Sequence, residues 1–194
     1  MINFFGSKKV SPDSSQHEAN LLAIETAWKI HQAQGEWTNR VDAKAAFAFT
    51  IESAALATAI TLTAQDRLFS NIPSLWILTI FISGIILLMV GAGLAAMVVI
   101  PRLREKNSSR ESAENFIYFG HARFWSPARL EEALLHSNIL PQIARQITVM
   151  SQIAWIKHTR VKWSFVCALF GIALLVGAGL ALSLGVSMGA EFSP

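Results

Sequence analysis

The chain has 194 residues, of which 53% are hydrophobic and only 15% charged, against the roughly 25% charged residues of an ordinary soluble domain. That balance excludes an ordinary soluble domain and indicates an integral membrane protein. The net charge of +3 is small, so its placement along the chain says more than its size.

The start, MINFFGSKKVSPDSSQ, has no apolar run of signal-peptide length after its basic residues, so no cleavage is expected. Residues 1–16 are polar, with paired Lys8 and Lys9, and read as a disordered segment. From His17 onward Leu21, Ile24 and Trp28 repeat with helical spacing, giving an amphipathic helix over 17–43. Gly35 weakens its continuity, since a glycine inside a helix costs about 1 kcal/mol relative to alanine.

The first span covers residues 44–65 (KAAFAFTIESAALATAITLTA from Lys44 to Ala64) and is rich in Ala and Thr, with Glu52 inside it. So weakly apolar a helix is expected to pack on protein rather than lipid. After the short turn DRLFSNI, with Pro73 near a helix start, the strongly apolar stretch 74–100 forms a second span, antiparallel to the first. Pro101 ends or kinks it.

Residues 101–160 open with a charged, serine-rich linker, RLREKNSSRESAEN, and continue through an aromatic-dense run, NFIYFGHARFW. Ser126-Pro127 marks a helix start, with Ser at N-cap and Pro at N1, and that helix stops near Asn138. The pattern from Leu140 to Val186 is one unbroken helix. In its first half Leu140, Ile143, Ile147, Met150, Ala154, Lys157 and Val161 fall on alternating steps of three and four, the seam of a helix packed on another helix. In its second half no residue from Trp163 to Val186 is charged, so 161–186 form a third span. At 1.5 Å per residue this helix is roughly 70 Å long, about twice the hydrocarbon thickness, and could act as a lever between a cytosolic event and the membrane.

The Lys and Arg residues set the orientation. Five lie in residues 1–44, one in the 66–74 turn, ten in 101–162 and none in the tail 187–194. The positive-inside rule places the N-terminus and the central segment in the cytoplasm and the C-terminus in the periplasm. The expected fold is an all-α membrane protein with three transmembrane helices, the first two an antiparallel hairpin, the third continuous with a long cytosolic helix.

Several residues stand out chemically. Glu52 shares a helix face with the small residues Ala48, Ala55, Ala59 and Thr63. An ionisable group there is either a protonated acid hydrogen-bonded inside the bundle or part of a pore or subunit contact. The motif VGAGLA occurs twice and sets Gly91 four residues from Ala95 and Gly177 four from Ala181, spacings that let helix backbones approach closely. Trp37, Arg40 and Lys44 lie on one helical face before the first span, and Tyr118, His121, Arg123 and Trp125 repeat that composition in the central segment. Each set can anchor at an interface, or stack a ring and hold an anion. Lys157 and His158 lie near the end of the extramembrane half of the long helix. Cys167 is the sole cysteine, which excludes intrachain disulfides. His121, His136 and His158 lack the spacing of a zinc motif, and no phosphate loop or catalytic constellation appears, so neither a metal nor an enzymatic activity is expected.

EWTNRVDAKAAFAFTIESAAL, NFIYFGHARFW and LPQIARQITVMSQIAWIKHTRVKWS, in that order around three spans, resemble the membrane effectors of the Pycsar antiphage systems, the PycTM type. The resemblance covers roughly residues 30–185 and maps Trp37, Asp42, Lys44 and Ala45 onto the first motif, with Glu52 after it. Tyr118, Phe119, Gly120, His121 and Arg123 match the second motif, and Lys157 and His158 the third. It implies an inner-membrane effector, silent until a partner cyclase makes cyclic CMP or cyclic UMP during infection, which then disrupts the membrane so that the cell dies or stops growing. The expected ligand-binding residues are therefore Trp37, Arg40, Asp42, Lys44, Tyr118, His121, Arg123, Trp125, Lys157 and His158, with Arg123 on the phosphate. Homo-oligomers, membrane lipid and a cyclic pyrimidine nucleotide are the expected partners, with no resident cofactor. The alternatives are a small ion or proton channel or transporter subunit using Glu52, and a membrane scaffold recruiting a cytosolic partner.

Overall fold

The structure, a computed structural model, describes residues 12–72, 74–100 and 115–191. Five helices account for nearly all of them: α1 (Pro12–Leu62), α2 (Leu75–Val99), α3 (Phe119–Ala122), α4 (Pro127–His136) and α5 (Leu140–Glu191). Among the described residues there is no strand. Three helices, α1, α2 and α5, are long and apolar enough to cross a membrane.

Several boundaries differ from the sequence reading. α1 begins at Pro12, so residues 12–16 of the segment expected to be disordered are helical, while 1–11 lie outside the described residues. Pro12 opens α1 as Pro127 opens α4, since proline's fixed φ suits the first helical position. The helix expected over 17–43 and the span over 44–65 are one helix that passes through Gly35 and ends at Leu62. α5 likewise continues to Glu191, through residues 187–191 of the expected tail. The linker 101–114 lies outside the described residues, but its effect is visible at Ile100, whose ψ of 122° is the extended backbone that a following proline imposes.

The described residues form two compact units, one from 12–37 and 115–153, the other from 38–72, 74–100 and 154–191. α1 and α5 each contribute to both. In the second unit, which holds the apolar stretches, Val41 and Ala45 of α1 cluster with Val98 of α2 and Val161 of α5. Ala59 clusters with Phe81 of α2 and with Ala178 and Leu182 of α5. Going up α1, the neighbouring positions rise on α5 and fall on α2, so α1 runs with α5 and against α2. The turn after α1 closes through Phe69 N–H donating to Leu62 O at 2.8 Å, with Asp66 at φ 60°, a left-handed conformation that Asp tolerates better than most residues.

All three long helices bury positions on alternating steps of three and four. On α1 the buried or half-buried series is 20, 24, 27, 31, 34, 38, 41, 45, 48, 52, 55, 59 and 62; on α5 it is 140, 143, 147, 150, 154, 157, 161, 164, 168, 171, 175, 178 and 182. α2 continues the rule with Phe81, Gly84, Leu88, Gly91, Ala95 and Val98. This is coiled-coil spacing, which keeps one seam facing its neighbours over many turns. The large residues expected to make the α1 seam, Leu21 and Trp28, are instead exposed, and Ala27 and Gln34 are buried.

In the first unit Ser126 caps α4 by accepting from the Arg129 N–H at 3.4 Å, and Asn138 Oδ1 accepts from the Leu140 N–H at 3.1 Å at the start of α5. Ile143 is fully buried there.

Candidate functional site

Polar side chains interrupt these seams at three levels. In the first unit, Gln34 Nε2 donates to Ser151 Oγ at 2.6 Å, and Ser151 Oγ donates back to Ile147 O at 2.9 Å. In the membrane unit, Lys157 Nζ donates to both carboxylate oxygens of Asp42, at 2.6 and 2.8 Å. Deeper in that unit, Ser164 Oγ donates to Glu52 Oε1 at 2.9 Å. Gln34, Glu52, Lys157 and Ser164 occupy seam positions, so each is placed by the repeat that places its apolar neighbours.

Asp42 and Lys157 are partly accessible, with side chains 36% and 22% exposed. Solvent screening at that exposure holds such a pair to about 1 kcal/mol or less. Glu52 and Ser164 are both fully buried, and Glu52 Oε2 has no hydrogen-bond partner among the described residues. Gly91 of α2 presses on the same carboxyl: a Cβ added there would collide with Glu52 Oε1 and lie 3.0 Å from its Cδ and 3.2 Å from Cys167 Cβ. Three helices thus converge on one carboxyl group, and glycine is required at position 91 by that approach. Ala48 and Ala59 are buried on the Glu52 face and Ala55 half-buried, while Thr63 lies beyond the helix end and is exposed.

The two copies of VGAGLA are used in different rotational phases. In α2, Gly91 and Ala95 are buried. In α5, Gly177 and Ala181 are exposed, and Ala178 and Leu182 face the core. A Cβ on Gly177 would meet nothing within 4 Å, so the packing role expected of Gly177 and Ala181 is not where the helix places them. The close α2–α5 crossing is made by Gly84 and Gly171 instead, a Cβ on either lying 3.0 Å from the other's carbonyl oxygen. The reason is the seam: its steps on α5 reach 171, 175, 178 and 182 and pass over 177 and 181.

The expected ligand residues are distributed over both units. Trp37, Arg40 and Lys44 are exposed on α1, on the side away from the seam, while Asp42 points to Lys157. His158 is exposed, with Nδ1 2.9 Å from Ala154 O. The central cluster splits in two. The Tyr118 ring lies 5.1 Å from His121, edge to face, and 4.6 Å from Phe119; His121 is buried. Trp125 packs edge to face with Phe116 at 5.3 Å and carries the Arg129 guanidinium 4.0 Å over its ring. Arg123 is exposed and lies 4.6 Å over Phe124. The cation beside Trp125 is therefore Arg129, which sequence reasoning passed over although it stands one helical turn after the tryptophan.

Ser164, Gln34 and Ser151 were also missed. The signal for the first two was present: each occupies the next three-or-four step of an apolar seam. Among the described residues, no three His, Cys, Asp or Glu side chains converge on a point that could hold a metal ion.

A family model described as the Pycsar effector protein domain matches residues 26–185. The Pycsar effector protein PtPycTM of Propioniciclava tarda is 26% identical over 195 residues, a match covering 92% of this chain and 94% of that protein. No solved structure matches the chain. With that match covering α2, most of α1 and α5 and the three polar pairs described above, the chain belongs to the Pycsar effector protein family.

Proposed function

We propose that the chain is a non-enzymatic antiphage defence effector of the bacterial inner membrane. A partner cyclase supplies cyclic CMP or cyclic UMP during infection; the nucleotide binds on the cytoplasmic side, and the effector assembles as a homo-oligomer and disrupts the membrane. The infected cell dies or stops growing before phage is released.

The family match supports the coarse part of this reading. The observation that carries the rest is the set of polar pairs in the seams, Gln34 with Ser151, Asp42 with Lys157 and Glu52 with Ser164. A seam selected for stability alone needs no such pairs, because apolar residues of similar volume serve as well or better. Polar pairs fix one register and are satisfied in that register only. They suit a bundle that must be silent in one arrangement and able to leave it when a ligand competes for one of the partners.

Expression in bacteria with and without an active pyrimidine cyclase tests the proposal. Growth arrest and entry of a membrane-impermeant dye should require the cyclase. Arrest without it, or dye exclusion with it, overturns the proposal. A second reading, an ion or proton channel, draws on the unpartnered Oε2 of Glu52 in the membrane unit. It requires ion flux into proteoliposomes with no nucleotide present, lost in Glu52→Gln.

A further inference from the structure

The charges at one level of the membrane unit are strongly unequal. Residues 38–44 of α1 and 154–163 of α5 carry five bases, Arg40, Lys44, Lys157, Arg160 and Lys162, against the single acid Asp42. That acid is committed to one base, Lys157, whose ammonium it grips with both oxygens. Lys157 stands in the α5 seam between Ala154 and Val161, so its stem is packed while its charged end reaches the more exposed carboxylate at the rim.

We propose that Asp42 is an internal stand-in for the ligand's phosphate. The anion that activates the protein takes Lys157 from it. This inference rests on the functional reading above and names the contact through which that ligand acts. A carboxylate and a phosphodiester monoanion share the features an ammonium recognises: one negative charge and two oxygens able to accept from it. The pair is exposed enough for a soluble anion to reach, yet Lys157 is covered enough that its charge is poorly placed without a partner. These stretches hold more bases than acids, which favours an arriving anion and leaves Asp42 as the competitor it must displace at Lys157. Displacement breaks a tie between α1 and α5 in the unit that holds the membrane-spanning stretches. Two sources offer this chemistry, a cyclic nucleotide and the headgroup of phosphatidylglycerol.

The signature is a pair of opposite effects. Removing the cation in Lys157→Met, which keeps most of the stem, should weaken binding roughly ten- to hundredfold, the range for losing one charge-assisted contact. Removing the competitor in the isosteric Asp42→Asn should tighten binding roughly two- to fivefold, the strength of a partly exposed ion pair. A salt bridge that only holds the fold predicts loss in both variants.

The test is calorimetric titration of cyclic CMP and cyclic UMP into the full chain in phosphatidylcholine nanodiscs, repeated with phosphatidylglycerol added, with thermal melting of each variant as the check on folding. Weaker binding in Lys157→Met and tighter binding in Asp42→Asn, with a nucleotide and without phosphatidylglycerol, is the expected result. Wild-type protein that binds neither nucleotide overturns the functional reading and this inference with it. Nucleotide binding equal in all three proteins, but weakened in Arg123→Ala, overturns this inference alone and moves the phosphate to Arg123. Phosphatidylglycerol that stabilises wild type but not Lys157→Met, with nucleotide affinity equal in both, assigns Lys157 to a lipid headgroup and overturns it as well. A Lys157→Met protein that fails to fold leaves the decision to Asp42→Asn, where binding unchanged or weaker overturns the inference.

Discussion

Gly91→Ala is the sharpest perturbation of the membrane unit. The added methyl falls on the Glu52 carboxyl and stands 3.0 Å from its Cδ and 3.2 Å from Cys167 Cβ, in a place with no solvent. Either α2 moves away or Glu52 swings off and loses its hydrogen bond from Ser164. Overpacking of a filled core costs about 1–3 kcal/mol, and a lost hydrogen bond adds about 0.5–1.5 kcal/mol. Less the roughly 1 kcal/mol by which alanine is favoured over glycine inside a helix, the net loss should be roughly 0.5–3.5 kcal/mol. Equilibrium unfolding in mixed micelles, followed by helicity, measures it. The control is the same substitution in a Glu52→Ala background, where the carboxyl is gone. There Gly91→Ala should be neutral or slightly stabilising, since alanine is favoured over glycine inside a helix by about 1 kcal/mol. Equal losses in the two backgrounds would mean that the carboxyl is not what position 91 meets, and the reasoning about the three-helix contact would fail.

Three other outcomes are expected. Glu52→Gln should insert and fold, because the amide keeps the shape and the oxygen that Ser164 donates to, and it should lose toxicity in an inducible assay; full toxicity would remove the ionisable group from any part in opening. Gly35→Ala should stabilise by about 0.5–1 kcal/mol, because α1 is helical through Gly35 and a Cβ there meets nothing within 4 Å; thermal melting showing a loss would reveal a need for glycine that the helix does not display. Reporter fusions should place Lys8 and Arg123 in the cytoplasm and the C-terminus in the periplasm, as the charge count requires, and a periplasmic Arg123 would also end its candidacy as a ligand contact.

The sequence was most readable where one physical rule acts alone. The α5 seam from Leu140 to Val161, with Lys157 as its polar member, follows from spacing, and every position in it is buried or half-buried. Ser126-Pro127 opens a helix because cap chemistry is local. Rotational phase was legible only where the seam was followed. On α1, helical spacing suggested Leu21, Ile24 and Trp28 as the inward residues, and of these only Ile24 lies in the seam; helices that approach closely turn small residues inward, and Ala27, Ala45, Ala48 and Ala59 fill it. The second VGAGLA was read by its similarity to the first, whereas its phase on α5 is set by Val161, Ser164 and Ala168 upstream. Pairings across more than a hundred residues, such as Gln34 with Ser151, carry no local signal. Each partner marks itself as a polar residue beside or within an apolar stripe, and which one answers it is decided by the crossing of the helices. In the central segment, composition located the aromatic and basic residues but not their grouping, and Arg129 rather than Arg123 covers Trp125.

Glu52 and Ser164 are separated by 112 residues of chain. Translation delivers them in order, and at roughly 5–20 residues per second the hydroxyl follows the carboxyl by on the order of 6–20 s. Through that interval the first span, the least apolar of the three, holds an acid for which the chain has not yet made a partner. Gly91 arrives earlier but, having no side chain, offers that carboxyl no side-chain hydrogen bond. A nascent chain halted before Ser164 therefore lacks the hydroxyl that donates to this carboxyl, and the closing contact of the three-helix site is made only once the last helix has been synthesised.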